Sequence, residues 1–63
     1  MQLETFTVYT VREVADSLKV SEHTVRQLIR TNKLSAMKVG RSYRVLKVDL
    51  NRYLRTMTSY DIV

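Results

Sequence analysis

Only two residues, Lys19 and Val20, separate one amphipathic stripe from the cap of the next, and this short link constrains the fold more than any other feature. The first stripe is Val11, Val14, Ala15 and Leu18, spaced i, i+3, i+4, i+7 as on one face of a helix. Thr10 and Glu13 supply the T-x-x-E of a capping box, with Tyr9 and Val14 set as a hydrophobic staple. A first helix is therefore predicted over 11–18. Ser21 is a good N-cap for a second. Val25, Leu28 and Ile29 form that helix's inner stripe and Asn32 its stop, which predicts a helix over 22–31. Helices joined so closely cannot lie antiparallel. They must cross sharply, as in a helix-turn-helix.

Beyond Asn32 the period changes. In "LSAMKVGRSYRVL" Met37 and Val39 alternate with Lys38, and Tyr43 and Val45 alternate with Arg44, around Gly40, the single glycine. This is a β-hairpin pattern. Setting all four apolar residues on one face requires Val39 opposite Tyr43, and hence a three-residue tip of Gly40, Arg41 and Ser42. Lys38 and Arg44 would then share the other face. Leu50, Tyr53, Leu54 and Met57 predict a third helix over 47–57, with Asp49 near its positive end. Phe6 and Val8 are expected in a short strand beside the hairpin. The expected fold is a small α+β winged helix-turn-helix, three helices plus a β-hairpin wing, over residues 1–57, followed by a tail over 58–63.

A chain of 63 residues holds one domain at most. At this size folding buries only about 60% of the unfolded surface, and the stability expected without staples is roughly 3–5 kcal/mol. There is no Cys, which removes disulfides and Cys-based zinc sites and fits a cytoplasmic setting. No membrane span and no signal peptide are expected, because no apolar run is long enough and the start "MQLETFTVYT" has no basic region.

The net charge of +5 is unevenly placed. Residues 1–25 carry two basic and four acidic side chains, a net of 2 − 4 = −2. Residues 26–55 carry nine basic side chains against Asp49 alone, a net of 9 − 1 = +8, and Asp61 completes the total. One contiguous basic half points to a polyanion, nucleic acid before an anionic membrane surface. Catalysis is not expected. The chain has one His, no Cys and no close carboxylate pair beside a nucleophile, and Tyr9, Tyr43 and Tyr53 fall on core stripes. No metal or other cofactor is expected, since no ligand cluster is present.

On a wheel of about 100° per residue, Arg26, Arg30, His23 and Gln27 share the face of the second helix opposite its core stripe. Arg can grip guanine O6 and N7 and Gln can pair with adenine N6 and N7, so this mixture suits a major-groove reader. His23, Thr24 and Gln27 stand near the helix start, where base edges are usually met. Arg30 and Lys33 lie further along, nearer to phosphates. Ser21, Lys38 and Arg44 are further phosphate candidates. Gly40, Arg41 and Ser42 at the hairpin tip are narrow enough to enter a minor groove, where Arg senses width and potential.

With these residues in view, the chain resembles the excisionase-type DNA-binding domains, winged helix-turn-helices of the MerR-like kind. The resemblance runs from Val8 to Leu54 and rests on "YTVREVADSLKVSEHTVRQLIRTNKLSAMKVGRSYRV" followed by "DLNRYL". It implies a recognition helix bearing His23, Thr24, Arg26, Gln27 and Arg30, and a wing bearing Lys38, Gly40, Arg41, Ser42 and Arg44. The family often has glycine where Lys19 stands, and prolines where Ser35 and Leu46 stand. A left-handed turn at Lys19 would strain it by about 1 kcal/mol.

The expected function is sequence-specific binding and bending of double-stranded DNA as a recombination directionality factor that helps an integrase excise a mobile element. The alternative is a small MerR-like transcription regulator at promoter DNA. MerR-type regulators usually carry a long dimerising helix and an effector domain, for which this chain has no room. A basic protein-interaction module is a third class. Nucleoid association in the cytoplasm follows from the first two. Side-by-side self-association on DNA is expected, with Tyr60, Ile62 and Val63 of the tail as contact material.

Overall fold

The structure is a computed structural model that describes residues 6–58. Six elements follow one another almost without loops: β1 (Val8–Thr10), α1 (Val11–Leu18), α2 (Glu22–Arg30), β2 (Met37–Val39), β3 (Ser42–Leu46) and α3 (Lys47–Thr58). Three helices and a three-stranded antiparallel sheet of order β1-β3-β2 make the expected small α+β winged helix-turn-helix.

Local chemistry sets the helix ends. The Thr10 hydroxyl accepts from the Glu13 N–H at 3.1 Å, and the Glu13 carboxylate accepts from the Thr10 N–H at 2.8 Å. This is the reciprocal capping box, which satisfies two otherwise orphaned donors. Ser21 caps α2 by accepting from the Thr24 N–H at 3.1 Å. Both helices end by the same device. After α1, Lys19 takes φ 59°, its N–H reaches the Asp16 carbonyl at 3.3 Å, and the Val20 N–H reaches the Ala15 carbonyl at 3.0 Å. After α2, Asn32 takes φ 62°, its N–H reaches the Ile29 carbonyl at 3.1 Å, and the Lys33 N–H reaches the Leu28 carbonyl at 2.9 Å. These are Schellman turns, normally closed by glycine. Asn tolerates the left-handed region. Lys does not, so the strain foreseen at Lys19 is present.

The helix pair buries its stripes as expected. Val11, Val14, Ala15, Val25 and Ile29 are buried with Val45 and Leu50, and Leu18, Leu28, Tyr9, Tyr43, Tyr53 and Leu54 pack against them half-buried. Leu34 is 1% exposed although it lies on no periodic stripe. The left-handed turn at Asn32 folds the chain back, the Leu34 N–H bonds the Leu28 carbonyl at 3.1 Å, and the side chain drops into the core. Along α3 burial fades from Leu50 through Tyr53 and Leu54 to Met57, which is exposed, contrary to its place on the predicted stripe.

The hairpin departs from expectation by one residue. Val39 pairs with Ser42, Lys38 with Tyr43 and Met37 with Arg44, so the tip is Gly40-Arg41 alone and Ser42 begins β3. Gly40 has φ +62° and Arg41 is not among the positive-φ residues, the order that a type II′ two-residue turn uses. A one-residue change of register flips every side chain relative to its partner strand. Met37 and Val39 therefore leave the core face and are 43% and 54% exposed. Lys38 and Arg44 do not share a face, and the expected like-charge opposition is absent. The Lys38 ammonium instead stands over the Tyr43 ring, 5.9 Å from its centroid.

β1 realises the short N-terminal strand two residues further on than Phe6. Val8 pairs with Leu46, Tyr9 with Val45 and Thr10 with Arg44. Thr58, expected to begin the tail, is instead the last residue of α3, and the rest of the tail over 59–63 lies outside the described residues.

Candidate nucleic-acid interface

β1 runs into α1 without a loop, so the pairing of Thr10 with Arg44 brings the first turn of α1 against the hairpin. The sharp turn at Lys19 swings α2 across the other side. Between them lies an open cleft of about 480 Å³. It is lined by Arg12 from α1, Arg26 and Arg30 from α2, and Lys38, Arg41 and Arg44 from the hairpin. Glu22 is the one carboxylate on that lining. Thr10, Val11, Ser42 and Tyr43 complete it. Six cationic residues line this one concavity and give it a positive potential, since low-dielectric walls focus the field.

The side chains are held unequally. The Arg26 guanidinium donates to the Glu22 carboxylate at 3.2 Å, one helical turn away, with both side chains 44% exposed. The Arg44 guanidinium donates to the Tyr43 carbonyl at 2.9 Å. Lys38 rests over Tyr43. Arg30 and Arg41 are exposed.

The residues singled out from the sequence divide into two groups. Arg26, Arg30, Lys38, Arg41, Ser42 and Arg44 meet at the cleft. His23, Thr24 and Gln27 do not line it; they are exposed on the adjoining face of α2. Ser21 and Thr24 are engaged with each other, their hydroxyls 3.0 Å apart at the helix cap. Lys33 and Gly40 are exposed outside the cleft. Two members escaped the sequence reading. Arg12 lies in the acidic half of the sequence, and Glu22 counts there only as charge. The helical period places both, but only the pairing of the first strand with β3 reveals that Arg12 meets the wing. Among the described residues no three His, Cys, Asp or Glu side chains gather where they could hold a metal ion, and no helix is long and apolar enough to cross a membrane.

The helix-turn-helix fold is what comparison with other proteins finds as well. The chain is 49% identical over 49 residues to the uncharacterized protein YvgK of Bacillus subtilis (strain 168). That match covers 78% of this chain but 16% of YvgK, so the chain corresponds to a small part of that relative's length. No solved structure gives a significant match. Residues 8–58, from the first strand to the end of α3, match the family described as "Helix-turn-helix domain". The chain belongs to the helix-turn-helix domain family.

Proposed function

We propose that this chain binds double-stranded DNA in a sequence-specific manner, with α2 in the major groove and the β2–β3 tip against the adjoining minor groove. The observation that carries this reading is the cleft of six cations between the second helix and the wing. In this reading His23, Thr24, Arg26 and Gln27 meet base edges. Arg12, Arg30, Lys33, Lys38 and Arg44 meet phosphates, with Ser21 at the helix cap beside them. Gly40, Arg41 and Ser42 enter the minor groove. Arg41 is well suited to this, since a two-residue tip is narrower than a three-residue one and presents it beside Gly40. The apolar Met37 and Val39 flank it on the exposed face.

The further role we assign is that of an excisionase, bending attachment-site DNA beside an integrase. Its support is the run "KVGRSYR" in the wing together with the capped helix pair. A second reading, the DNA-reading part of a transcription regulator, is favoured by YvgK, most of whose length lies beyond the matched segment.

Footprinting on attachment and promoter DNA, joined to an excision assay with the integrase, tests the proposal. An excisionase protects several adjacent sites and raises excision. Protection of one promoter site with no effect on recombination supports the regulator reading instead. Absence of any protected duplex would refute DNA binding itself.

A further inference from the structure

Glu22 is out of place in a phosphate-binding cleft. It is the first residue of α2 and contributes the only carboxylate among the described residues that line the cleft, opposite six cations. Its repulsion of DNA phosphates weakens binding to every sequence alike. Its ion pair with Arg26 does not compensate through stability, because an exposed i, i+4 pair contributes little. A carboxylate at the positive start of α2 also favours the helix, which accounts for an acidic residue here but not for its ion pair with Arg26. The geometry of that pair bears on selectivity: the carboxylate holds the Arg26 guanidinium at 3.2 Å on the first turns of the helix whose start meets base edges.

We infer that Glu22 is a positioning residue for Arg26, fixing its guanidinium for two-point contact with guanine and making one G·C pair a specificity determinant of the DNA site. The inference rests on the DNA-binding reading above. A flexible arginine among five other cations settles on whichever phosphate is near. An arginine tethered by a carboxylate pays less ordering entropy on meeting guanine, and its charge is partly countered where phosphates would compete for it. Glu22 thus exchanges general affinity for discrimination.

The test is selection from a randomised duplex library with the full chain, its Glu22→Gln and Arg26→Ala variants, and the double variant. A thermal melt of each checks that the fold is kept. Wild-type protein is expected to enrich guanine at one position. Glu22→Gln is expected to bind the unselected pool about threefold more tightly, from the lost repulsion, while its guanine preference at that one position falls about twofold, the weight of an exposed i, i+4 pair. In the Arg26→Ala background, Glu22→Gln should change that preference no further, since the effect passes through Arg26. The inference is overturned if Glu22→Gln keeps the wild-type preference at every position, or if it flattens the preference equally with Arg26 absent. A wild-type protein that selects no duplex sequence overturns the DNA-binding reading as well, an outcome distinct from selective binding that ignores Glu22.

Discussion

The helix pair and the hairpin are built on opposite principles. In α1 and α2 the apolar period and the final packing agree: the inner stripes are buried, and the caps at Thr10 and Ser21 start the helices where the pattern begins. In the hairpin they disagree. The apolar alternation favours a register with Met37 and Val39 inward, and the glycine turn imposes the other. Only Val45 of the hairpin is buried, and it sits on β3, the strand paired on both sides. The helices therefore hold the fold, and the tip and β2 display side chains. This division suits a domain whose outer parts must reach a large anionic partner.

Substitutions should separate the two regions sharply. Leu34→Ala removes a core side chain held by the helix-ending turn and should cost about 3 kcal/mol. That approaches the roughly 3–5 kcal/mol expected of a chain this small, so urea denaturation should show the variant largely unfolded at low denaturant. Near-normal stability would mean that the hairpin, not the helix pair, holds the core.

Backbone strain gives an effect of intermediate size. Lys19→Gly should raise stability by about 1 kcal/mol, because glycine adopts the left-handed region without penalty. Gly40→Ala should cost about the same at φ +62°, although nothing lies within 4 Å of the added Cβ, so the whole penalty is backbone strain. Thermal melts that shift in the same direction for both would contradict the turn assignments. The smallest effect is expected on the outer hairpin face. Val39→Thr should change stability by less than about 0.5 kcal/mol, as for an exposed position. A cost near that of Leu34→Ala would place Val39 in the core, as the alternative register requires.

This contrast also explains what could be read in advance. The capping box, the two-residue link and the stop at Asn32 are local signals, and each is realised in the structure. The hairpin register departs from the apolar alternation because β2 has only three residues, and too little core lies beneath it to reward burial of Met37 and Val39 over the turn that Gly40 prefers. Leu34 was invisible because its burial depends on a left-handed residue two positions earlier, not on any period. Within the site, helical spacing brought Arg26 and Arg30 together correctly. Arg12 joins them through a strand pairing across more than thirty residues, and no local pattern records that.

The central claim is that the cleft between α2 and the wing is a surface for duplex DNA. Its most direct test is the salt dependence of binding by the full chain to a footprinted duplex. With Arg12, Arg30, Lys33, Lys38 and Arg44 on phosphates, log K should fall against log salt with a slope of about −4.5. A slope shallower than about −2 would mean that the cleft does not carry the phosphates and would contradict the account.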